Sequence, residues 1–442
     1  MGESTAGDDT LKRVIGFPSA VLLVIGGMVG VGVFVNPAVV ARSVSSPGLI
    51  IGAWALGGAM AILGAFVYAE LAARLPGAGG EYVYLKETLG PLPAFLFGWT
   101  TLLVVQAGGM AAVAIVFVKN LSVLLGQDLP AGPAAAATIL ALAAVNCLGV
   151  RSGNGVQAVL GILKMAAIGA LILVGLLFVR PSGVSAPPVA ASSFKAFGAA
   201  MVPVVFSYGG WQTASMVSGE MKDAARGLSR AILIGVLTVI AIYLLVTFVC
   251  LRALGPAGLA ATSTPASDVL RLAFGPMGAA FASAAIAVSA LGFLSQSMLT
   301  APRVSFAMAR DGLFFRQLGA TAAWSKAPVA AILLQGVWTA GLALSGAYDR
   351  ILSYVTAMNF LFFGLNGVCV FILRRRRATG DAPAFTAPLH PLTTGLFILA
   401  CALIVLSAFW SYPLDSLMGY AILILGAPVY FAFRRRLKKE DL

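Results

Sequence analysis

Residues 26 to 34 read Gly-Gly-Met-Val-Gly-Val-Gly-Val-Phe, and residues 206 to 212 read Phe-Ser-Tyr-Gly-Gly-Trp-Gln. Each run sits inside a long apolar stretch, where an uninterrupted membrane helix would carry Leu or Ile. Glycine in a helix interior costs about 1 kcal/mol relative to alanine, so clustered glycines mark places where the backbone opens or is closely approached. Small residues at spacing four, such as Gly26 and Gly30, are also a common helix-packing device. Packing alone does not call for Gly209 beside Gly210, flanked by Tyr208 and Trp211. It is the pairing of the two runs that carries information.

Working outward, the 442 residues are 60% hydrophobic and 10% charged, with mean hydropathy +0.96, so most of the chain is expected to be solvated by lipid. A helix needs about 20 apolar residues to cross a hydrocarbon core, because each backbone polar group must be satisfied within the segment. Twelve such spans are expected, at 17–41, 48–73, 91–118, 132–149, 155–179, 196–219, 229–251, 275–305, 328–346, 351–373, 392–411 and 413–433. The formal charge of +13 reads as topology, not as nucleic-acid binding. Of the 29 Lys and Arg, 21 fall on the side shared by the two termini and 7 on the other, while Lys164 lies within a span. Both termini are therefore expected in the cytoplasm, with the protein in a cell (plasma) membrane, a bacterial inner membrane. No cleavable signal peptide is evident in the first 16 residues, and Cys147, Cys250, Cys369 and Cys401 lie in or at the edge of apolar spans as packing residues, not disulfide partners.

The two glycine-broken spans are the first and the sixth, five apart. Interrupted segments at matching positions of two halves point to a transporter built from repeats, with its site at the midplane. An odd number of helices per block forces the second block to be inverted. The expected organisation is a cytoplasmic segment 1–16, a first five-helix repeat 17–179, an inverted second repeat 196–373, two further helices 392–433 and a basic tail 434–442. An opened helix offers free N–H groups at the start of its second half and free C=O groups at the end of its first. Such a break suits a zwitterion. N–H groups around Val31 and Gly32 can receive a carboxylate, and carbonyls at Met28, Phe206 and Gly209 can receive an ammonium.

The runs MVGVGVFVNP (28–37), YAELAARLPGAGGEYVYL (68–85) and FSYGGWQTASMVSGEMKDAARGLSRAI (206–232) resemble the matching segments of the L-type amino-acid transporter branch of the amino acid, polyamine and organocation superfamily. The resemblance extends from about residue 12 to about residue 377, and the last two spans match only in hydropathy and position. It implies an all-α integral membrane fold of twelve helices, a five-plus-five inverted repeat with helices 1 and 6 broken, followed by two C-terminal helices. It also implies a substrate site of Met28, Val29, Gly30, Val31, Gly32, Phe206, Ser207 and Gly209, with Phe206 as an aromatic gate and Asn359 as a selectivity residue. By the same resemblance, Lys164 replaces a coupling sodium ion, its ammonium reaching carbonyls of Gly26 and Val29. On geometry alone Lys164 could instead partly snorkel, since it lies about nine residues, roughly 13 Å, from the expected end of its span.

Other polar residues carry less. Glu220, Lys222, Asp223 and Arg226 follow the sixth span, where gate ion pairing competes with plain solvation. Glu70 and Glu81 read as structural, and the basic runs 374–377 and 434–439 as anchors at an anionic membrane surface. An enzyme is disfavoured because the single histidine, His390, lies in a loop and no span carries paired carboxylates or a metal-ligand set. No cofactor and no metal are expected, nor is a ring-forming channel filter present. The expectation is sodium-independent transport of neutral L-amino acids by exchange, uniport or proton symport, with a polyamine or cationic amino-acid exchanger as the alternative. The loop KNLSVLLGQDLPAG (119–132) carries no cysteine, so no disulfide-linked partner chain is expected.

Overall fold

A computed structural model describes residues 11, 13–181, 194–346, 348–376, 383–411 and 413–440. Lys12, Arg377 and most of the N-terminal segment lie outside the described residues, as do the side chains of Lys195, Arg350 and everything from 435 onward. Among the described residues the architecture is helical, with one isolated parallel bridge between Ile15 and Met221.

The first expected span breaks into α1 (Phe17–Met28) and α2 (Gly32–Ser43). Next come α3 (Pro47–Arg74) and the short α4 (Glu81–Leu89). A single long helix over Pro91–Leu125 consists of α5 (Pro91–Thr100), a π turn at Thr101–Val105, and α6 (Gln106–Leu125). The first half ends with α7 (Ala131–Cys147) and α8 (Val150–Leu177). The sixth expected span likewise divides, into α9 (Phe194–Tyr208) and a 3-10 helix over Trp211–Glu220. Then follow α10 (Ser229–Ala261), α11 (Pro265–Phe274), α12 (Pro276–Thr300), α13 (Pro302–Arg310), α14 (Val329–Ser345), α15 (Tyr348–Arg375), α16 (Leu392–Ser411) and α17 (Pro413–Glu440).

Nine described helices or helix pairs are long and apolar enough to cross a membrane. The other three expected spans coincide with shorter elements. α7 and α14 have 17 residues each, and the sixth span is divided between 15 helical residues and a 10-residue 3-10 segment. Several boundaries move outward. α8 starts at Val150, five residues before the expected 155, and α10 continues to Ala261 through a bend at Gly255 and Pro256. That continuation makes Arg252 a helical residue, whose guanidinium caps the α8 end through the carbonyls of Gly175 and Val179.

The broken segments lie at the centre: α1 packs on α10, α8, α12 and the 3-10 helix, while α9 packs on α2 and α3. Lipid-facing residues surround them. In α8, Ile162 and Leu163 are 58% and 49% exposed, yet the next residue, Lys164, is fully buried.

Charged residues near the helix ends are interlocked, not merely solvated. Glu70 of α3 accepts from Arg74 and Arg374, each at 2.6 Å, and from the Ala387 N–H at 2.8 Å, so one carboxylate ties α3, α15 and the segment before α16. This corrects the expectation for the 374–377 run: Arg374 turns inward to Glu70, and Arg376 donates to the carbonyls of Glu87 and Thr88. Glu81 is buried with the Tyr68 hydroxyl at 2.8 Å and the Asn366 amide at 3.0 Å. Burial pushes its carboxyl up to about 8, against the opposing effect of those two hydrogen bonds.

Candidate substrate site

The glycines let two chain breaks meet. A Cβ built on Gly210 would lie 2.1 Å from the Gly27 carbonyl oxygen, and one on Gly27 would lie 2.4 Å from Thr213 Oγ1 and 2.7 Å from the Gly210 carbonyl. Gly210 also has φ +113, a conformation L side chains rarely adopt. The two interruptions therefore pack backbone to backbone, and no other residue type fits there.

Around this contact is a cavity of about 190 Å³. Both breaks line it: Met28, Gly30, Val31 and Gly32 from the first, Phe206, Ser207 and Gly209 from the second. Asn359 of α15 completes the set expected from sequence. Val29 and Gly26 are absent from the lining. Val29, in the opened turn between α1 and α2, is fully buried away from the cavity lining; its carbonyl receives Lys164 Nζ at 2.5 Å, and the Gly26 carbonyl lies 3.3 Å from the same nitrogen. With the helix start at Val150, Lys164 sits about 21 Å along α8, which together with its complete burial removes the snorkelling reading.

The open backbone groups can now be sorted. Among the described residues, the N–H groups of Val31 and Gly32 have no acceptor, as the start of α2 dictates. On the carbonyl side the three candidates differ. Met28 already accepts the Gly30 N–H at 3.0 Å and the Tyr243 hydroxyl at 2.8 Å. Phe206 accepts only the Gly209 N–H, at 3.2 Å, and Gly209 accepts no donor among the described residues. The acceptors still available are thus Phe206 and Gly209. Phe206 is 39% exposed on the cavity wall.

Several residues that hold the site carry no local signal in sequence. The Tyr243 hydroxyl sits 2.8 Å from the Met28 carbonyl and 3.0 Å from that of Ser207, so one phenol from α10 staples both breaks. Ser289 of α12 donates to the Gly30 carbonyl at 2.8 Å, and Gln296 donates to Thr213 at 2.7 Å, which in turn donates to the Gly210 carbonyl. Asn36 donates to Ser207 Oγ at 2.6 Å, joining α2 to α9. Each is an ordinary polar residue in an apolar helix until the fold brings it to an opened turn.

On the side carrying the N-terminus the cavity is sealed. Arg303 Nε reaches Glu220 at 2.8 Å with both side chains fully buried, the Ser218 hydroxyl donates to the Gly77 carbonyl, and Gly79 N–H donates to Met216. Val14 and Ile15 donate to the Glu220 carbonyl, closing the same face. This resolves the two readings of the segment after the sixth span: Glu220 is paired, whereas Lys222, Asp223 and Arg226 are exposed.

Among the described residues no group of His, Cys, Asp and Glu could hold a metal ion, and the four cysteines are free and buried. The amino acid permease family profile matches residues 15–430. The chain is 31% identical to the serine/threonine exchanger SteT of Bacillus subtilis (strain 168), over 97% of this chain and 98% of that protein. It is 29% identical to the mouse large neutral amino acids transporter small subunit 2, over 97% and 82%, and 28% identical to the human Asc-type amino acid transporter 1, over 95% and 82%. Two helices broken at glycine, meeting over a cavity edged by unpaired backbone groups, and a match along nearly the whole chain lead to one conclusion: this protein is a transporter of the amino acid permease family.

Proposed function

We propose that the protein carries neutral L-amino acids across a cell membrane by alternating access, without sodium. The observation that carries this is the set of backbone groups at the cavity with hydrogen-bonding capacity left: the unpaired N–H groups of Val31 and Gly32 at the start of α2, the unpaired Gly209 carbonyl just past α9, and the Phe206 carbonyl, which accepts one N–H and has its second lone pair left. A carboxylate on Val31 and Gly32 and an ammonium on Phe206 and Gly209 would satisfy both sets at once. The Lys164 amine bonded to the Gly26 and Val29 carbonyls supports sodium independence, since it places a hydrogen-bond donor, with a fixed or a titratable proton, behind the first break. The names of the relatives support neutral substrates, and the exchanger among them supports exchange. A cationic substrate finds no support in the cavity, whose lining includes no Asp or Glu.

The nine long helices, the two shorter ones and the divided sixth span make twelve crossings in this reading. They divide into repeats at 17–179 and 196–373 plus the pair at 392–433, with both termini cytoplasmic in a bacterial inner membrane. The sealed Glu220–Arg303 face is then the cytoplasmic gate. The absence of cysteine from the 119–132 loop supports function without a disulfide-linked partner.

The test is uptake of a panel of radiolabelled amino acids into proteoliposomes of the purified protein alone, with internal amino acid present or absent and sodium replaced by choline. Saturable uptake of neutral amino acids that survives choline replacement is expected. Uptake only with sodium, only for cationic substrates, or only after co-expression of a second membrane protein overturns the corresponding part.

A further inference from the structure

The helix over Pro91–Leu125 is not regular. At Thr101–Val105 it opens into a π turn, in which the Gln106 N–H bonds the Thr101 carbonyl five residues back. A π turn amounts to one inserted residue and leaves a carbonyl without its usual donor. Within this turn the Leu103 carbonyl accepts from outside the helix: the Trp338 indole N–H of α14 donates to it at 3.0 Å. One inserted residue rotates everything beyond it by about 100° around the helix axis. The consequence is visible in the lining, where Gln106, Gly109, Val113 and Val116, spaced three, four and three residues apart, form one stripe on the cavity.

Gln106 is 7% exposed, and its amide has no hydrogen-bond partner among the described residues. Each of the other polar side chains from the broken helices on the cavity wall makes at least one hydrogen bond. Ser207 is held by Asn36 and Pro203, Gln212 accepts from the Gly210 N–H, and Thr213 bonds Gln296 and the Gly210 carbonyl. Asn359, also without a partner, is the second free amide on the wall. Gln106 is buried and Asn359 half-buried, and amides held on a cavity wall without a protein partner are satisfied only by what enters the cavity, so the wall is built for something that arrives with its own donor and acceptor.

We propose that Gln106, turned into the cavity by the π turn, reads the substrate side chain together with Asn359, selecting neutral amino acids whose side chain bears a hydroxyl or carboxamide over aliphatic ones of the same size. This rests on the amino-acid reading above, which the backbone groups of the two breaks carry independently. Two neutral amides complement a hydroxyl or a carboxamide in either direction of donation. A charged side chain would find no counter-charge, and an aliphatic one would leave both amides unpaired. The rest of the side-chain space, with Val113, Val116, Phe293 and Phe360, is apolar and sets size, not polarity.

The test compares near-isosteric pairs, threonine against valine and glutamine against methionine, in proteoliposome uptake by the parent, by Gln106→Leu and by Gln106→Asn. The parent is expected to favour the polar member of each pair. Gln106→Leu is expected to shrink that preference by about tenfold through a raised KM for the polar member, with KM for valine unchanged or lower. Gln106→Asn should keep part of the preference. A parent that takes valine as well as threonine overturns the proposal even if no variant folds, as does a Gln106→Leu that changes both members of a pair equally. A parent that takes up no amino acid removes the transport reading itself, a separately readable result.

Discussion

Replacing Lys164 by methionine keeps the length and much of the volume of the side chain and removes only its charged end. In the folded protein that end lies 2.5 Å from the Val29 carbonyl and 3.3 Å from the Gly26 carbonyl, buried among α1, α8 and α12. Hydrogen bonds to a charged group contribute about 1.5–3 kcal/mol each, and a buried acceptor left bare costs a similar amount. At the lower figure, two of them are about 3 kcal/mol of support for the opened turn, on the order of 100-fold in the population of the correctly shaped break. The opposing term acts on folding: returning a buried ammonium to water in the unfolded chain no longer favours unfolding, and that desolvation cost is itself several kcal/mol. The two readouts should therefore separate. Thermal stability in detergent is expected to stay near that of the parent or rise, while uptake in proteoliposomes falls by on the order of 100-fold. Gly292, whose added Cβ would lie 3.0 Å from Lys164 Cε, marks how closely α12 confines the side chain, so Lys164→Arg should also transport poorly. If Lys164→Met transports within about twofold of the parent, the ammonium does not maintain the break and the coupling assignment is wrong.

The glycines divide by their surroundings. Gly210→Ala and Gly27→Ala, whose Cβ atoms would strike backbone or Thr213 at 2.1–2.7 Å, should lose folded, monodisperse protein on size exclusion. Gly30→Ala, with nothing nearer than Phe293 at 3.7 Å, should fold normally and lose affinity, because its methyl enters the cavity. Gly32→Ala should fall between, since its Cβ meets Asn36 Nδ2 and Ser207 Oγ at 3.0 Å and disturbs their bond. Equal stability of Gly210→Ala and the parent would contradict the packing of the two breaks. Glu81 supplies a pH dependence. Its carboxyl is raised in the fold from 4.5 to about 8 by burial, so the stability linked to its proton is complete below about pH 4.5 and is lost as pH rises through about 8. The melting temperature of the parent should drop over that range more than that of Glu81→Gln. Parallel curves for the two proteins would show that Glu81 is not the titrating group.

Much of the layout was legible because lipid imposes it. With no water to satisfy the backbone, apolar stretches of helical length must be helices, so each expected span is occupied by helix, while the short α4 and α11 lie between spans and had no such signal. Glycine runs are equally legible, since only a residue without Cβ tolerates the approach of Gly27 to Gly210. The limits of the elements were less so. The continuation Arg252–Ala261 finds partners on other helices, the Arg252 guanidinium on the Gly175 and Val179 carbonyls and the Ala260 carbonyl under Arg42, which periodicity in one segment does not reveal.

Composition and glycine placement alone thus imply an all-helical membrane protein with two opened spans, and together with the family resemblance they point to Met28, Gly30 to Gly32, Phe206, Ser207, Gly209 and Asn359, which the fold gathers around one cavity. Which of those groups are still free is settled by long-range packing. Whether the Met28 carbonyl is taken by Tyr243, whether Val29 faces the cavity or Lys164, whether Glu220 meets Arg303, and which way Gln106 turns after a π turn all depend on neighbours 83 to 215 residues away or on a helix register no local pattern encodes. Backbone opening is a property of a few consecutive residues, but the satisfaction of a buried polar group is a property of everything packed around it.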